Sequence, residues 1–225
     1  MIVPTMRGGW ALVLLGCGRV HFANVPDAKG ATDGALVSDA ADARTIADAA
    51  NGITFGDQTV ESGGPDQHPT GLAEASSYYA TQSGVINTLY VWYAGTQSGD
   101  DATQLIVGLY ADGGGNPDAL LASGTITNGG SALPILHWYS TTVPVIRITS
   151  GNIYWIAVAC PIGAGTHCSI QYKYIGATGA GPCSPSATTP CTEHSNQGNL
   201  AAMPATWTPG TMFLPSVNSY YATYQ

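Results

Sequence analysis

From Gly52 to the C-terminus, short runs of β-branched, aromatic and aliphatic residues alternate with clusters of Gly, Pro, Asn, Asp and Ser, the pattern of strands separated by turns. Eleven runs are predicted as strands: Ile53–Val60, Ala73–Gln82, Val85–Ala94, Gln104–Ala111, Ala119–Thr127, Leu136–Thr142, Val145–Thr149, Ile153–Cys160, Ser169–Ile175, Thr211–Leu214 and Ser219–Tyr224. No long helical periodicity interrupts them, so residues 51–225 are expected to form an all-β, antiparallel β-sandwich of the jelly-roll kind. In Val85–Ala94 and Ile153–Cys160 both alternating faces carry apolar side chains, which predicts central strands covered on both sides. Ser169, Gln171 and Lys173 alternate with Ile170, Tyr172 and Tyr174, which predicts one wet face.

The first fifty residues follow other rules. Arg7 is the only charge before the short apolar run Gly8–Leu15, which is far below the roughly 20 residues that span a bilayer, so residues 1–16 read as a cleaved export signal. MRGGW from Met6 opens a more compact version of it. The run Leu14-Leu15-Gly16-Cys17 resembles the lipobox of bacterial lipoproteins, whose cysteine thiol carries the lipid. That resemblance implies lipid attachment at Cys17 and anchorage of an exported protein to the cell envelope, periplasmic or at the surface. Residues 17–50 are rich in Ala, Asp and Gly and poor in large apolar side chains; they are expected to form a tether, with a short helix from Ser38 to Ala50.

Composition narrows the partners. The chain has 6 Lys or Arg against 14 Asp or Glu, a net charge of −8, and 9% charged residues, where soluble domains usually carry about 25%. Such a chain has little to neutralise a phosphate backbone, which argues against nucleic acid and against electrostatic binding to anionic membranes. Twelve Tyr and five Trp against three Phe favour rings that tolerate one apolar and one wet end.

A second resemblance lies within the strand-rich region. Leu89-Tyr90-Val91-Trp92-Tyr93, Leu105–Asp112, the loop GGGNP, Ala119–Thr125, Trp138 and Thr149–Val158 look like the jelly-roll modules of secreted and surface proteins of bacteria. The likeness spans about residues 53–175, its motifs are structural, and it implies adhesion or glycan contact rather than one defined activity. Residues 176–214 depart from it, and the Cys- and Pro-rich stretch at about 176–210 reads as an inserted loop.

The candidate chemistry is sparse. With Cys17 assigned to lipid, Cys160, Cys168, Cys183 and Cys191 remain, spaced C-x7-C-x14-C-x7-C; of three connectivities the local pairs are expected. A zinc site from His167, Cys168, Cys191 and His194 is the sharper alternative, although the spacing lacks a paired CxxC. Asp112, Asn116 and Asp118 form a weak calcium candidate, in a loop whose glycines and Asn-Pro also suit an ordinary tight connection; no other cofactor is expected. Nearly all aspartates fall in the tether or in turns, and Glu74, beside Tyr78 and Tyr79, reads as a solvent-facing strand residue. No G-x-S-x-G elbow is present, and His68, His137, His167 and His194 are scattered.

Tyr90, Trp92, His137, Trp138, Tyr172 and Tyr174 are therefore the candidate ligand-binding residues. The expected function is non-catalytic binding of an extracellular ligand, carbohydrate foremost. Two alternatives remain open: a structural or adhesive protein that binds proteins or itself, and a polysaccharide hydrolase or lyase, which needs two carboxyl groups about 5–10 Å apart.

Overall fold

The computed structural model describes residues 54–95, 99–175 and 179–225. The predicted signal, tether, helix and lipid site at Cys17 lie outside these residues. Among the described residues thirteen strands run in the order β1 Thr54–Gly56, β2 Gly64–Pro69, β3 Ala73–Tyr79, β4 Gly84–Tyr93, β5 Gln104–Asp112, β6 Pro117–Thr127, β7 His137–Ile148, β8 Ile153–Ala159, β9 His167–Tyr174, β10 Thr192–Ser195, β11 Pro209–Met212, β12 Ser216–Asn218 and β13 Tyr220–Tyr224. They form two antiparallel sheets. One has the order β1-β13-β4-β9-β12, with β2 also on β9 and β7 also on β4; the other runs β11-β10-β3-β8-β5-β6. The architecture is the expected all-β sandwich, and this strand order does not by itself define a jelly roll.

Alternation explains the core. Ile86, Leu89, Val91 and Tyr93 of β4, with Tyr220 and Ala222 of β13, meet Leu105, Val107 and Leu109 of β5 and Tyr154, Ile156 and Val158 of β8. The opposite face of the second sheet presents Ile106, Tyr110, Trp155 and Ala157, and these pack against Met203 and Trp207. The Cys- and Pro-rich stretch is thus a second layer over that sheet, and it contributes β10 and β11. This explains why Ile153–Cys160 is apolar on both faces: Trp155 is wholly buried on one side and Ile156 on the other.

β4 is different. A register irregularity between Ile86 and Thr88 turns Ile86 to the same side as Leu89, and the outer face is left with half-buried Tyr90 and Trp92 rather than a fully covered layer. Opposite that irregularity, the partner strand contains Pro144, whose missing N–H costs nothing at a bulge; the runs predicted at 136–142 and 145–149 are consequently one strand, β7. Ser169 departs from the predicted wet face, since it is fully buried and donates to the Asp100 carboxylate at 2.7 Å.

Three strands were not legible as runs: β2, β10 and β12. β2 reads GPDQHP, and its prolines fit because it pairs on one side only, with β9. After β2 the chain crosses to the other sheet through Gly71, where φ is +86° and an added Cβ would meet Ile162 Cγ2 at 2.7 Å and Asn199 Cα at 2.8 Å. Glycine is required there on both counts.

Candidate functional site

The crossing at Gly71 brings four chemistry-bearing side chains together between the sheets. Asp66 and His68 are two residues apart on β2 and share its inward face, opposite Ile170 and Cys168 of β9. Glu74 on β3 lies directly opposite His194 on β10. One donor atom from each of the four falls within 4.8 Å of the others. His68 Nε2 is 2.5 Å from Glu74 Oε2 and 3.7 Å from Asp66 Oδ2, while His194 Nε2 is 3.7 Å from Glu74 Oε2 and 4.0 Å from Asp66 Oδ2. The His68 and His194 rings meet edge to face at 4.8 Å, and Phe213 closes the other side of His194 at 4.6 Å.

Glu74 is 3% exposed, the reverse of the solvent-facing position expected for it. Asn218 Nδ2 donates to Glu74 Oε1 at 2.8 Å and to the Tyr220 hydroxyl at 3.0 Å, and the Tyr78 hydroxyl donates to the Asn218 carbonyl at 2.5 Å. Glu74 Oε2, His68 Nε2 and His194 Nε2 are buried, and none of them makes a hydrogen bond of acceptable geometry. Burial alone would raise the Glu74 pKa, but the charges and contacts of His68 and His194 outweigh it and hold the carboxyl well below its usual range. Burial alone would lower His68; Glu74 and then Asp66 reverse this and raise it. Asp66 is raised, first by burial and then by the charge of Glu74.

Both disulfides buttress the cluster. Cys160 pairs with Cys168 and Cys183 with Cys191, the local connectivity. Cys160 follows β8 and Cys168 lies opposite His68, so that bond ties the two sheets; Cys191 leads directly into β10. The zinc set His167, Cys168, Cys191 and His194 is overturned, because both sulfurs are spent in disulfides and His167 Nδ1 sits 3.1 Å from Thr166 Oγ1. Only His194 belongs to the cluster. The D-x-H spacing of Asp66 and His68, followed six residues later by Glu74, was the available signal; short, polar β2 and β10 masked it.

The predicted ligand-binding aromatics divide between faces. Tyr90 and Trp92 lie on the outer face of β4. Tyr221, opposite Tyr90, stacks on it at 4.3 Å with planes 2° apart. Trp138, opposite Trp92, meets Trp92 at 5.6 Å and Tyr221 at 5.0 Å. Tyr90, Tyr221, Trp138 and Trp92 therefore form one continuous row of rings, of which Tyr221 had not been singled out from the sequence. Its phenol is pushed up to about 12 by burial and then by neighbouring Tyr90, so it remains a hydrogen-bond donor.

The remaining candidates lie elsewhere. His137 is exposed and pairs with Tyr93 on the opposite side of β7 from Trp138, its ring 5.0 Å from that of Tyr139. Tyr172 pairs with Asn218 and so belongs to the inner face, away from the row. Tyr174 occupies β9 opposite Ser216. In the Asp112–Asp118 loop, the Asp112 carboxylate accepts from Gly114 N at 3.0 Å, Gly115 N at 3.2 Å and Trp155 Nε1 at 2.9 Å, while Asn116 is half-buried and Asp118 exposed. Asp112 thus serves the turn and the core tryptophan.

A scan against protein-family models finds no family that matches the chain, and a search of the curated proteins finds no match. Among the described residues no helix is long and apolar enough to cross a membrane, and two disulfides are the mark of proteins that mature in oxidising, exported settings.

Proposed function

We propose that the protein is an exported β-sandwich, held to the cell envelope by lipid on Cys17, that binds extracellular carbohydrate without catalysis along the row Tyr90, Tyr221, Trp138 and Trp92. That row is the observation that carries the reading. Tyr90, Trp138 and Trp92 are half-buried and Tyr221 is buried among them, so the rings are already ordered and little side-chain entropy is lost when a flat sugar face settles on the three that reach solvent. The scarcity of charge in the chain, 9% of residues, suits neutral, hydroxyl-rich ligands. Screening the full chain against soluble polysaccharides by affinity electrophoresis, with and without calcium, is expected to find a retarding glycan; no retardation by any of them contradicts the reading. Mass spectrometry of the mature N-terminus is expected to find acylated Cys17, and Cys17→Ser is expected to release the protein from membranes.

One observation favours a second reading, a polysaccharide hydrolase or lyase: the Glu74 and Asp66 donor oxygens lie within 4.8 Å, near the 5–5.5 Å of retaining glycosidases. Against it, Glu74 has almost no exposed surface, with Asn218 on one oxygen and His68 on the other. Release of reducing ends from the bound polysaccharide, abolished in Glu74→Gln, would favour this reading; intact polysaccharide favours binding alone. Sugar-independent self-association in the ultracentrifuge would favour the adhesive reading instead.

A further inference from the structure

We propose that Asp66, His68, Glu74 and His194 bind one divalent first-row transition metal ion, zinc foremost, as a clamp between the two sheets. The donor set decides the class. Two imidazole nitrogens with two carboxylate oxygens match zinc and its neighbours, whereas calcium and magnesium require oxygen ligands in larger number. Four protein ligands with no thiolate also suit an oxidising compartment, where a cysteine ligand would be diverted into a disulfide.

Geometry and burial support a site rather than a chance ion pair. His68 and Glu74 are 5% and 3% exposed, three of the four donor atoms are buried without a hydrogen bond, and all four lie within 4.8 Å of one another. Donors on a tetrahedral zinc with bonds of about 2.0–2.2 Å are about 3.3–3.6 Å apart. Three of the observed separations, 3.7, 3.7 and 4.0 Å, are close to that, and the 2.5 Å between His68 and Glu74 must open by about 1 Å. Asn218 supplies the hydrogen bond that orients the Glu74 carboxylate from behind, the outer-shell support that metal-ligating carboxylates ordinarily have.

The ligands span the fold. Asp66 and His68 come from β2 of one sheet, and Glu74 and His194 come from β3 and β10 of the other. With Cys160–Cys168 beside it, the ion would be a second inter-sheet cross-link. The site is on the inner side of the sandwich and the ring row is on the outer face, so failure of either reading leaves the other standing.

The test uses the untagged full chain, stripped with chelator and titrated with zinc against a chromophoric competitor, with metal content measured by mass spectrometry. One zinc per chain is expected, undisturbed by millimolar calcium, and cobalt is expected to give the intense visible absorption of a four-coordinate site. His194→Ala and Asp66→Asn are each expected to weaken binding by 100-fold or more. Asp66 lies at the rim with its side chain 38% exposed, so its variant retains the core packing. Absence of stoichiometric zinc, a weak octahedral cobalt spectrum, or wild-type affinity in folded Asp66→Asn would overturn the proposal.

Discussion

Asn218, itself buried, links Glu74 and Tyr220 through its side chain and Tyr78 through its backbone carbonyl, and removing its side chain would leave Glu74 Oε1 without a donor. Asn218→Ala is expected to cost about 1–3 kcal/mol, measured as a lowered urea midpoint. A second expectation concerns pH. The Asp101 carboxylate accepts from the backbone N–H of Thr166 at 2.6 Å and of His167 at 3.1 Å, and these bonds, led by that from Thr166, hold it below its ordinary value. A depressed acid stabilises the fold above its unfolded pKa of about 3.9, and that contribution fades as pH falls through the folded value. Asp101→Asn is therefore expected to lower the urea midpoint at about pH 6 and to converge with the wild type in acid; a difference that persists undiminished in acid would contradict this. At this scale the sequence was a partial guide. Tyr90, Trp92 and Trp138 share one face as alternation allows, but nothing in the sequence singles out Tyr221 and Glu74 reads there as solvent-facing, because the surroundings of both come from strands remote in the chain.

Elements explain those misjudgements. Long strands such as β5, β6 and β8 were readable because runs of aliphatic and β-branched residues between turn clusters mark them, and β5 and β8 are buried on both faces. β2 and β10 have no such runs: their side chains are spent on the Asp66, His68, Glu193 and His194 contacts and their neighbours on turns. Glu193, for example, is 1% exposed because it accepts from Gly210 N at 2.8 Å and Trp207 Nε1 at 3.3 Å. Two of the three strands that hold the cluster, β2 and β10, are thus ones that hydrophobic patterning misses, while β3 was readable. Their placement depends on the crossing at Gly71, where alanine would face both a positive φ and a backbone clash. Gly71→Ala is expected to destabilise the fold by about 1–3 kcal/mol or more and to weaken zinc binding in parallel. Each disulfide closes a short loop, with a separation of 8 residues, for which chain entropy gives about 2.5 kcal/mol; reduction is expected to lower the urea midpoint by a corresponding amount.

For the molecule as a whole, the two sheets face different surroundings. The six-stranded sheet is covered on both sides, by the shared core and by the Met203 and Trp207 layer. The seven-stranded sheet keeps a face of rings, half-buried at Tyr90, Trp92 and Trp138 and buried at Tyr221. With 9% charged residues in the chain, recognition on that face rests on stacking and on neutral hydrogen bonds. The fold class was legible from turn spacing and strand composition alone, whereas the pairing of distant segments that makes the ring row continuous was not. If the clamp is zinc, a hundredfold excess of zinc over its dissociation constant is expected to stabilise the fold by about 2.7 kcal/mol, seen as a raised melting temperature in calorimetry and absent in His194→Ala.

The most direct measurement is isothermal titration of one retarding polysaccharide into the wild-type chain and into Trp138→Ala, the variant that interrupts the row at its centre. Loss of one stacked ring is worth about 0.5–1.5 kcal/mol beyond its area, so binding is expected to weaken by roughly two- to tenfold or more, with circular dichroism unchanged. Equal affinity in the two proteins would contradict the row as the binding surface.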